Sequence, residues 1–352
     1  MKISTLGSAL ALVAAGTLVA GPAAARDQIK IVGSSTVFPY TQAVAEEFAK
    51  AGKKSPVVES TGTGGGMKIF CQGIGAEHPD ITGASRAMKK SEYELCKKNG
   101  VTNITEIQVG YDGLSIANSR KGKQINLTPQ QIFLALAAEV PVKDKLAKNP
   151  NKKWSDIDKS LPNIAIVAYG PPPTSGTRDA FVELAMHAGC VSLPYIAAQK
   201  KSMDKAAFKN VLKTTCTRMR QDGPFIEAGE NDNLIVQRLV ADPNAVGIFG
   251  YSFLYENTDK LQPVKINGIE PSFKTIGDKS YPISRPLFFY VKNDHRKVIP
   301  GMNEFITEYT SSKAMGKDGY LTDRGLVVLS PAMLKEMQER AKGAKMMNAP
   351  SS

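Results

Sequence analysis

The chain has 352 residues, 42% hydrophobic and 22% charged, with 45 Lys and Arg against 33 Asp and Glu, a formal net charge of +12. That length supports a large core and is too much for one small domain. The basic residues are spread along the chain with no arginine stripe interleaved with aromatics, which argues against a nucleic-acid partner and leaves an anionic small ligand open.

The chain starts Met1-Lys2, runs through an apolar segment over 9–19, and reaches Gly21-Pro22 and Ala23-Ala24-Ala25. A positive start, a short apolar run and a small-residue site predict a secretory signal peptide over 1–25, hence an exported, soluble, periplasmic protein beginning at Arg26. The apolar run is too short for a transmembrane anchor, and Gly16, Gly21 and Pro22 interrupt it. No cysteine follows the small residues, so no lipid anchor is expected, and no later run approaches membrane-spanning length.

A short apolar strand, 29–32, leads through Gly33-Ser34-Ser35-Thr36-Val37-Phe38-Pro39 into a helix over 40–50, with Pro39 suited to its first turn. Ser60-Thr61-Gly62-Thr63-Gly64-Gly65-Gly66 then opens a second helical stretch, 67–73. A strand ends at Ser85-Arg86, and 104–118 reads as one or two strands. A helix over 127–138, capped by Thr128, and a turn at 154–158 follow. A buried strand at 164–169 feeds Pro171-Pro172-Pro173-Thr174-Ser175-Gly176-Thr177-Arg178 and a helix with Gly189 as its C′ residue. A helix at 231–239, strands at 246–251 and 281–291, and a basic segment at 335–345 (a solvated helix face or tail) complete the pattern. Strands alternating with helices predict an α/β fold with a largely parallel sheet. Ligands in such sheets bind beyond the carboxyl ends of strands, where the chain enters helices.

Three helix openings therefore carry hydroxyls and glycines at strand-to-helix turns. A helix start has unpaired N–H groups and partial positive charge. Gly176 lets an anion approach the backbone, and Arg178 can bind it bidentately. Converging on one ligand, the three openings would wrap an oxyanion in N–H and O–H donors. Nucleotide motifs do not fit: Gly62 to Lys68 lacks both the phosphate-loop spacing and the third glycine of the dinucleotide fingerprint. There is no G-x-S-x-G elbow, and no histidine stands near Ser175 in sequence. Four cysteines in an exported chain favour two disulfides, with three possible connectivities. The sequence-adjacent pairs, Cys71–Cys96 and Cys190–Cys216, are expected, each worth about 3 kcal/mol through loop entropy. Metal ligation is not expected, since His78, His187 and His295 are scattered and no C-x-x-C pair is present.

Gly33-Ser-Ser-Thr-Val-Phe-Pro39, the Thr61-Gly-Thr-Gly-Gly-Gly66 turn, Gly83-Ala-Ser-Arg86, Lys152-Lys-Trp154, Ser175-Gly-Thr-Arg178 and Val236-Gln-Arg-Leu…Gly247-Ile-Phe-Gly-Tyr251 occur in that order. Together they resemble the periplasmic phosphate-binding proteins of Pst-type ABC importers, over about 29–292. The resemblance implies a type II two-lobe binding-protein fold with a hinged cleft, lobe 1 being 26–112 with 286–352 and lobe 2 being 113–285. It implies capture of inorganic phosphate by a protein that is monomeric when free, delivery to membrane permease subunits, no cofactor and no enzymatic chemistry. Ser35, Thr36 and Val37 carry over as the first turn, Thr63 as the second, and Ser175, Gly176 and Thr177 as the third. Family members have an aspartate at the position of Arg86 and an arginine at that of Pro171, so here Arg86 and Arg178 are expected to supply the positive charge. An acid elsewhere must then accept the phosphate proton: Asp112 first, with Glu230 and Asp232 behind it. The competing readings are a binder of sulfate, phosphite or a phosphonate, and a secreted phosphatase using Ser35 or Ser175 as nucleophile.

Overall fold

The structure is a computed structural model that describes residues 26–143 and 145–351. The expected signal peptide, 1–25, lies outside the described residues.

The first strand, β1 (Lys30–Gly33), is an apolar run that pairs in parallel with β2 (Val57–Ser60) and β3 (Ile81–Ala84). Between β1 and β2 runs α1 (Phe38–Lys50), with Pro39 in its first turn and Tyr40, Val44 and Phe48 buried at helical spacing. Next come α2 (Thr63–Phe70) and, after β3, α3 (Lys90–Lys98). Strand β4 (Ile104–Ser119) is a single strand of 16 residues. At roughly 3.3 Å per residue it reaches about 50 Å, long enough to run from one hydrophobic core into another.

The second core is built on α4 (Pro129–Leu136), β5 (Ala168–Gly170), α5 (Gly176–Phe181), β6 (Phe225–Glu227), α6 (Asp232–Ala241), β7 (Val246–Gly250), α7 (Tyr251–Tyr255) and β8 (Leu261–Pro263). The chain returns through β9 (Ser284–Lys292), which lies antiparallel to β4 and next to β3. It closes on the first core with α8 (Met302–Tyr309) and α9 (Pro331–Lys342). The basic C-terminal segment is thus a docked helix, burying Leu334, Met337 and Ala341 on one face.

Along the sheet the order is β2-β1-β3-β9-β4-β7-β5-β6, with β8 also on β4. Pairing is parallel at both ends of this path and antiparallel in its middle. The expected parallel sheet is therefore two parallel edges joined by an antiparallel centre. A chain that leaves one core along β4 and comes back along β9 must lay those strands in opposite senses. Core membership changes along the same stretches: in β4, Ile107 and Val109 pack in the first core and Leu114 and Ile116 in the second, while Leu287 of β9 packs in the first core and Ile283, just before β9, in the second. The Cys190–Cys216 disulfide lies in the second core, and Cys71–Cys96 lies in a smaller separate cluster with Met67, Phe70 and Tyr290.

One local expectation changes. Gly189 is not a helix terminus but lies inside the helical segment His187–Ser192, which ends before Leu193-Pro194. A Cβ on Gly189 would stand 1.9 Å from the Pro129 carbonyl oxygen. The glycine there lets the start of α4 pack against this helix.

Candidate functional site

The three hydroxyl-rich openings meet where the two cores face each other. The first is the turn after β1. Gly33 has φ +128°, and a Cβ there would lie 2.2 Å from the Gly83 oxygen, so only glycine lets the turn pass so close to β3. The Ser34 N–H donates to that same oxygen at 2.9 Å. This places Ser35 and Thr36 inside and Val37 at the cap of α1. The second opening starts α2 at Thr63, whose Oγ1 accepts from the Ser85 N–H (3.1 Å) and contacts the Ser85 hydroxyl (3.2 Å). The third starts α5: Ser175 is its N-cap and accepts from the Thr177 N–H at 3.1 Å.

These openings touch across the gap between the cores. Thr36 and Thr177 share a hydroxyl–hydroxyl hydrogen bond of 2.8 Å. The Gly64 N–H donates to the Thr174 carbonyl at 3.0 Å. A Cβ on Gly176 would stand 2.2 Å from Thr63 Oγ1 and 2.5 Å from Ser85 Oγ, so the start of α5 comes this near only as glycine. The Ser35 hydroxyl is buried without a hydrogen-bond partner.

The cation at this junction is Arg285. It lies in β9 directly opposite Asp112 of β4 and is 4% exposed. Its Nε and Nη2 donate to Asp112 Oδ2 at 3.1 and 3.0 Å. Nη2 also reaches the hydroxyls of Thr36 and Thr177, both at 3.0 Å, while Nη1 donates to the Gly176 carbonyl at 2.9 Å. One guanidinium thus touches both crossing strands and two of the three openings. Asp112 Oδ1 accepts from the Tyr251 N–H at 2.7 Å. Burial pushes the Asp112 carboxyl up, against the opposing pull of the Arg285 charge and the Tyr251 N–H.

A second carboxylate stands close by. Asp232, in the first turn of α6, is fully buried, and neither of its oxygens has a hydrogen-bond partner. Burial pushes it up to about 7, with the Arg285 charge and the neighbouring Gly250 N–H, which falls outside hydrogen-bond geometry, working the other way and the Asp112 and Glu230 charges adding to the rise. Glu230 covers Gly62, receives the Thr174 hydroxyl, and is also raised by burial.

The two arginines singled out from the sequence are engaged elsewhere. Arg86 forks onto Glu92 through Nη1 and Nη2 (2.9 and 2.7 Å) and sends Nε to Asp179 at 2.8 Å. Arg178 points out of the junction, stacked 4.4 Å over the Phe225 ring and donating to the Pro171 carbonyl at 3.2 Å. It borders a cavity of about 690 Å³ that also takes in Asp179 and Arg218 and lies beside the hydroxyls rather than among them. Sequence reasoning missed Arg285 and Ser85. The available signal for Arg285 was an arginine inside an otherwise apolar strand, since such a charge is buried only with partners. Among the described residues, no group of three or more His, Cys, Asp or Glu is placed to hold a metal ion, and no single helix is long and apolar enough to cross a membrane.

Comparisons with known proteins agree with this architecture. Residues 18–313 match the family model described as a PBP superfamily domain. Protein SphX of Synechococcus elongatus is 34% identical over 272 residues, covering 75% of this chain and 68% of that protein. The phosphate-binding protein PstS of Staphylococcus saprophyticus is 28% identical over 320 residues, covering 89% of this chain and 84% of the relative. The crystal structure of a possible phosphate binding protein from Planctomyces limnophilus superposes with a TM-score of 0.56 at 30% identity, over 90% of this chain and 98% of that one.

Proposed function

The chain belongs to the PBP superfamily, and we propose that it captures inorganic phosphate between its two lobes and delivers it to the permease of an ABC importer. The observation that carries this reading is the Arg285 guanidinium, buried between two threonine hydroxyls contributed by opposite lobes. A tetrahedral oxyanion needs several convergent donors and a compensating positive charge. The starts of α1, α2 and α5 supply the first, and Arg285 supplies the second. In this reading Thr36 and Thr177 release each other to bind the anion. Ser35, Val37, Thr63, Ser175 and Gly176 add hydroxyl or backbone donors, and Asp112 orients Arg285. The lobes divide at the crossings of β4 and β9, giving 26–112 with 286–352 and 113–285. The names of the relatives, phosphate-binding proteins, support phosphate as the ligand. The amino-terminal segment supports export to the periplasm.

Phosphate differs from sulfate near neutral pH in keeping an O–H, so selectivity requires an acceptor in the pocket. Asp112 and Asp232 are the two buried acids coupled to Arg285. Asp112 already serves Arg285 and Tyr251, whereas Asp232 has both oxygens free of hydrogen bonds. We therefore add Asp232 to Asp112 as a group that senses the phosphate proton.

Titration calorimetry of the ligand-stripped protein against phosphate, sulfate and phosphite tests the proposal. One site preferring phosphate is the expected result. Equal affinity for sulfate, or no heat with phosphate, would overturn it.

A further inference from the structure

Arg86 follows the Ser85 turn in lobe 1, yet its guanidinium is directed at lobe 2. Its Nη1 and Nη2 are held by Glu92, whose carboxylate also accepts from the Lys89 N–H at 2.8 Å and so caps α3. That grip lies wholly within lobe 1 and points Nε outward. Nε donates to Asp179 Oδ2 at 2.8 Å, and the Lys89 ammonium reaches the same oxygen at 2.9 Å. Arg86 is 12% exposed and Asp179 30%, so this pairing is more shielded than an ordinary surface ion pair. Asp179 belongs to the first turn and a half of α5, the helix whose start carries Ser175, Gly176 and Thr177. A rigid helix that brings Thr177 to Thr36 therefore brings Asp179 to Arg86 in the same movement.

We infer that Asp179 is a positioning residue for phosphate capture: it latches the closed cleft by accepting Arg86 and Lys89 from the opposite lobe, and thereby sets how long the anion stays bound. This rests on the phosphate reading above. The arrangement assigns Arg86 a role through closure rather than through contact with the anion. Because the latch forms only as the lobes meet, its loss acts on dissociation and leaves the encounter with phosphate largely untouched. Glu92 keeps Arg86 preorganised, so little side-chain freedom is lost on closure.

The test is stopped-flow kinetics of phosphate binding to the full mature protein, comparing wild type with Asp179→Asn, Asp179→Glu, Arg86→Gln and the Asp179→Asn/Arg86→Gln pair. Asp179→Asn is expected to release phosphate roughly tenfold faster, with association changed less than about twofold. Asp179→Glu, which keeps the charge, is expected to recover most of the loss. The double variant is expected to be no worse than the poorer single one, because both remove the same contact. Unchanged release in Asp179→Asn, or fully additive effects in the pair, would overturn the latch. If wild type binds no phosphate, the functional reading fails by itself. The latch is then read from small-angle scattering of the ligand-free proteins, where a larger radius of gyration in Asp179→Asn supports it and identical profiles overturn it.

Discussion

Arg285 and Arg86 both tie one lobe to the other, and they do it under opposite conditions. Arg285 is buried, shares Asp112 with the backbone of Tyr251, and spends its remaining donors on two hydroxyls and a carbonyl. Arg86 sits nearer the rim, fully matched by Glu92 and Asp179. A guanidinium saturated with carboxylates has little positive charge left for an anion. One bonded mostly to neutral oxygens can exchange them for phosphate oxygens at small cost. On the proposed reading, the partners an arginine already has, rather than its proximity in sequence to a hydroxyl-rich turn, decide whether it meets the ligand.

Removing Arg285 is expected to have the largest effect. Arg285→Ala strands Asp112 as a buried carboxylate and deletes the central cation. Loss of one partner of a buried pair costs about 3–5 kcal/mol, so phosphate affinity is expected to fall at least a hundredfold, with a lower Tm in the ligand-free protein. Calorimetry and thermal melts read both effects. Asp112→Asn comes next. An amide oxygen can accept from Arg285 or from Tyr251 but the side chain no longer accepts at both positions, and about 1.5–2 kcal/mol of charge-assisted bonding is lost. Phosphate binding is expected to weaken ten- to thirtyfold while the preference over sulfate narrows. Normal affinity with sulfate still rejected would move the acceptor away from Asp112.

Asp232 differs from both arginines in responding to pH. Its carboxyl rises from 3.8 to about 7 in the folded protein, so between those values the native state holds a proton that the unfolded chain has released. That excess makes its contribution to stability greatest at low pH and progressively lost as pH rises toward 7. Asp232→Asn does not titrate. The variant is therefore expected to gain in Tm relative to wild type as pH is raised from about 4 to about 7, and to hold that gain above it. A Tm difference that stays flat across this range would show that Asp232 is solvated or paired. The smallest effect is expected at Arg178. Its guanidinium faces Phe225 and the outer cavity, so Arg178→Ala is expected to change phosphate affinity less than about threefold. A larger loss in that variant would return Arg178 to the site.

Much of the fold could be read from local chemistry. The three helix openings announce themselves through caps, prolines and glycines, all of which act within a few residues. Ser175 does cap α5, and Pro39 does lie in the first turn of α1. What escaped the sequence depends on distant pairing. Arg285 meets its carboxylate partner 173 positions away, a distance closed only by the antiparallel register of β4 and β9. Gly189 resembles a helix terminator in sequence because its true neighbour, the start of α4, comes sixty residues earlier. Asp112 stood out as an acid in a strand, but nothing local distinguished an anion's acceptor from an arginine's anchor.

A crystal structure of the mature protein with phosphate would place the anion relative to Arg285. The anion is expected between the lobes, within hydrogen-bond distance of Arg285 and the hydroxyls of Thr36, Thr63 and Thr177, with Thr36 and Thr177 no longer bonded to each other. Phosphate lying instead in the cavity beside Arg178, with the Arg285 contacts intact, would contradict that placement.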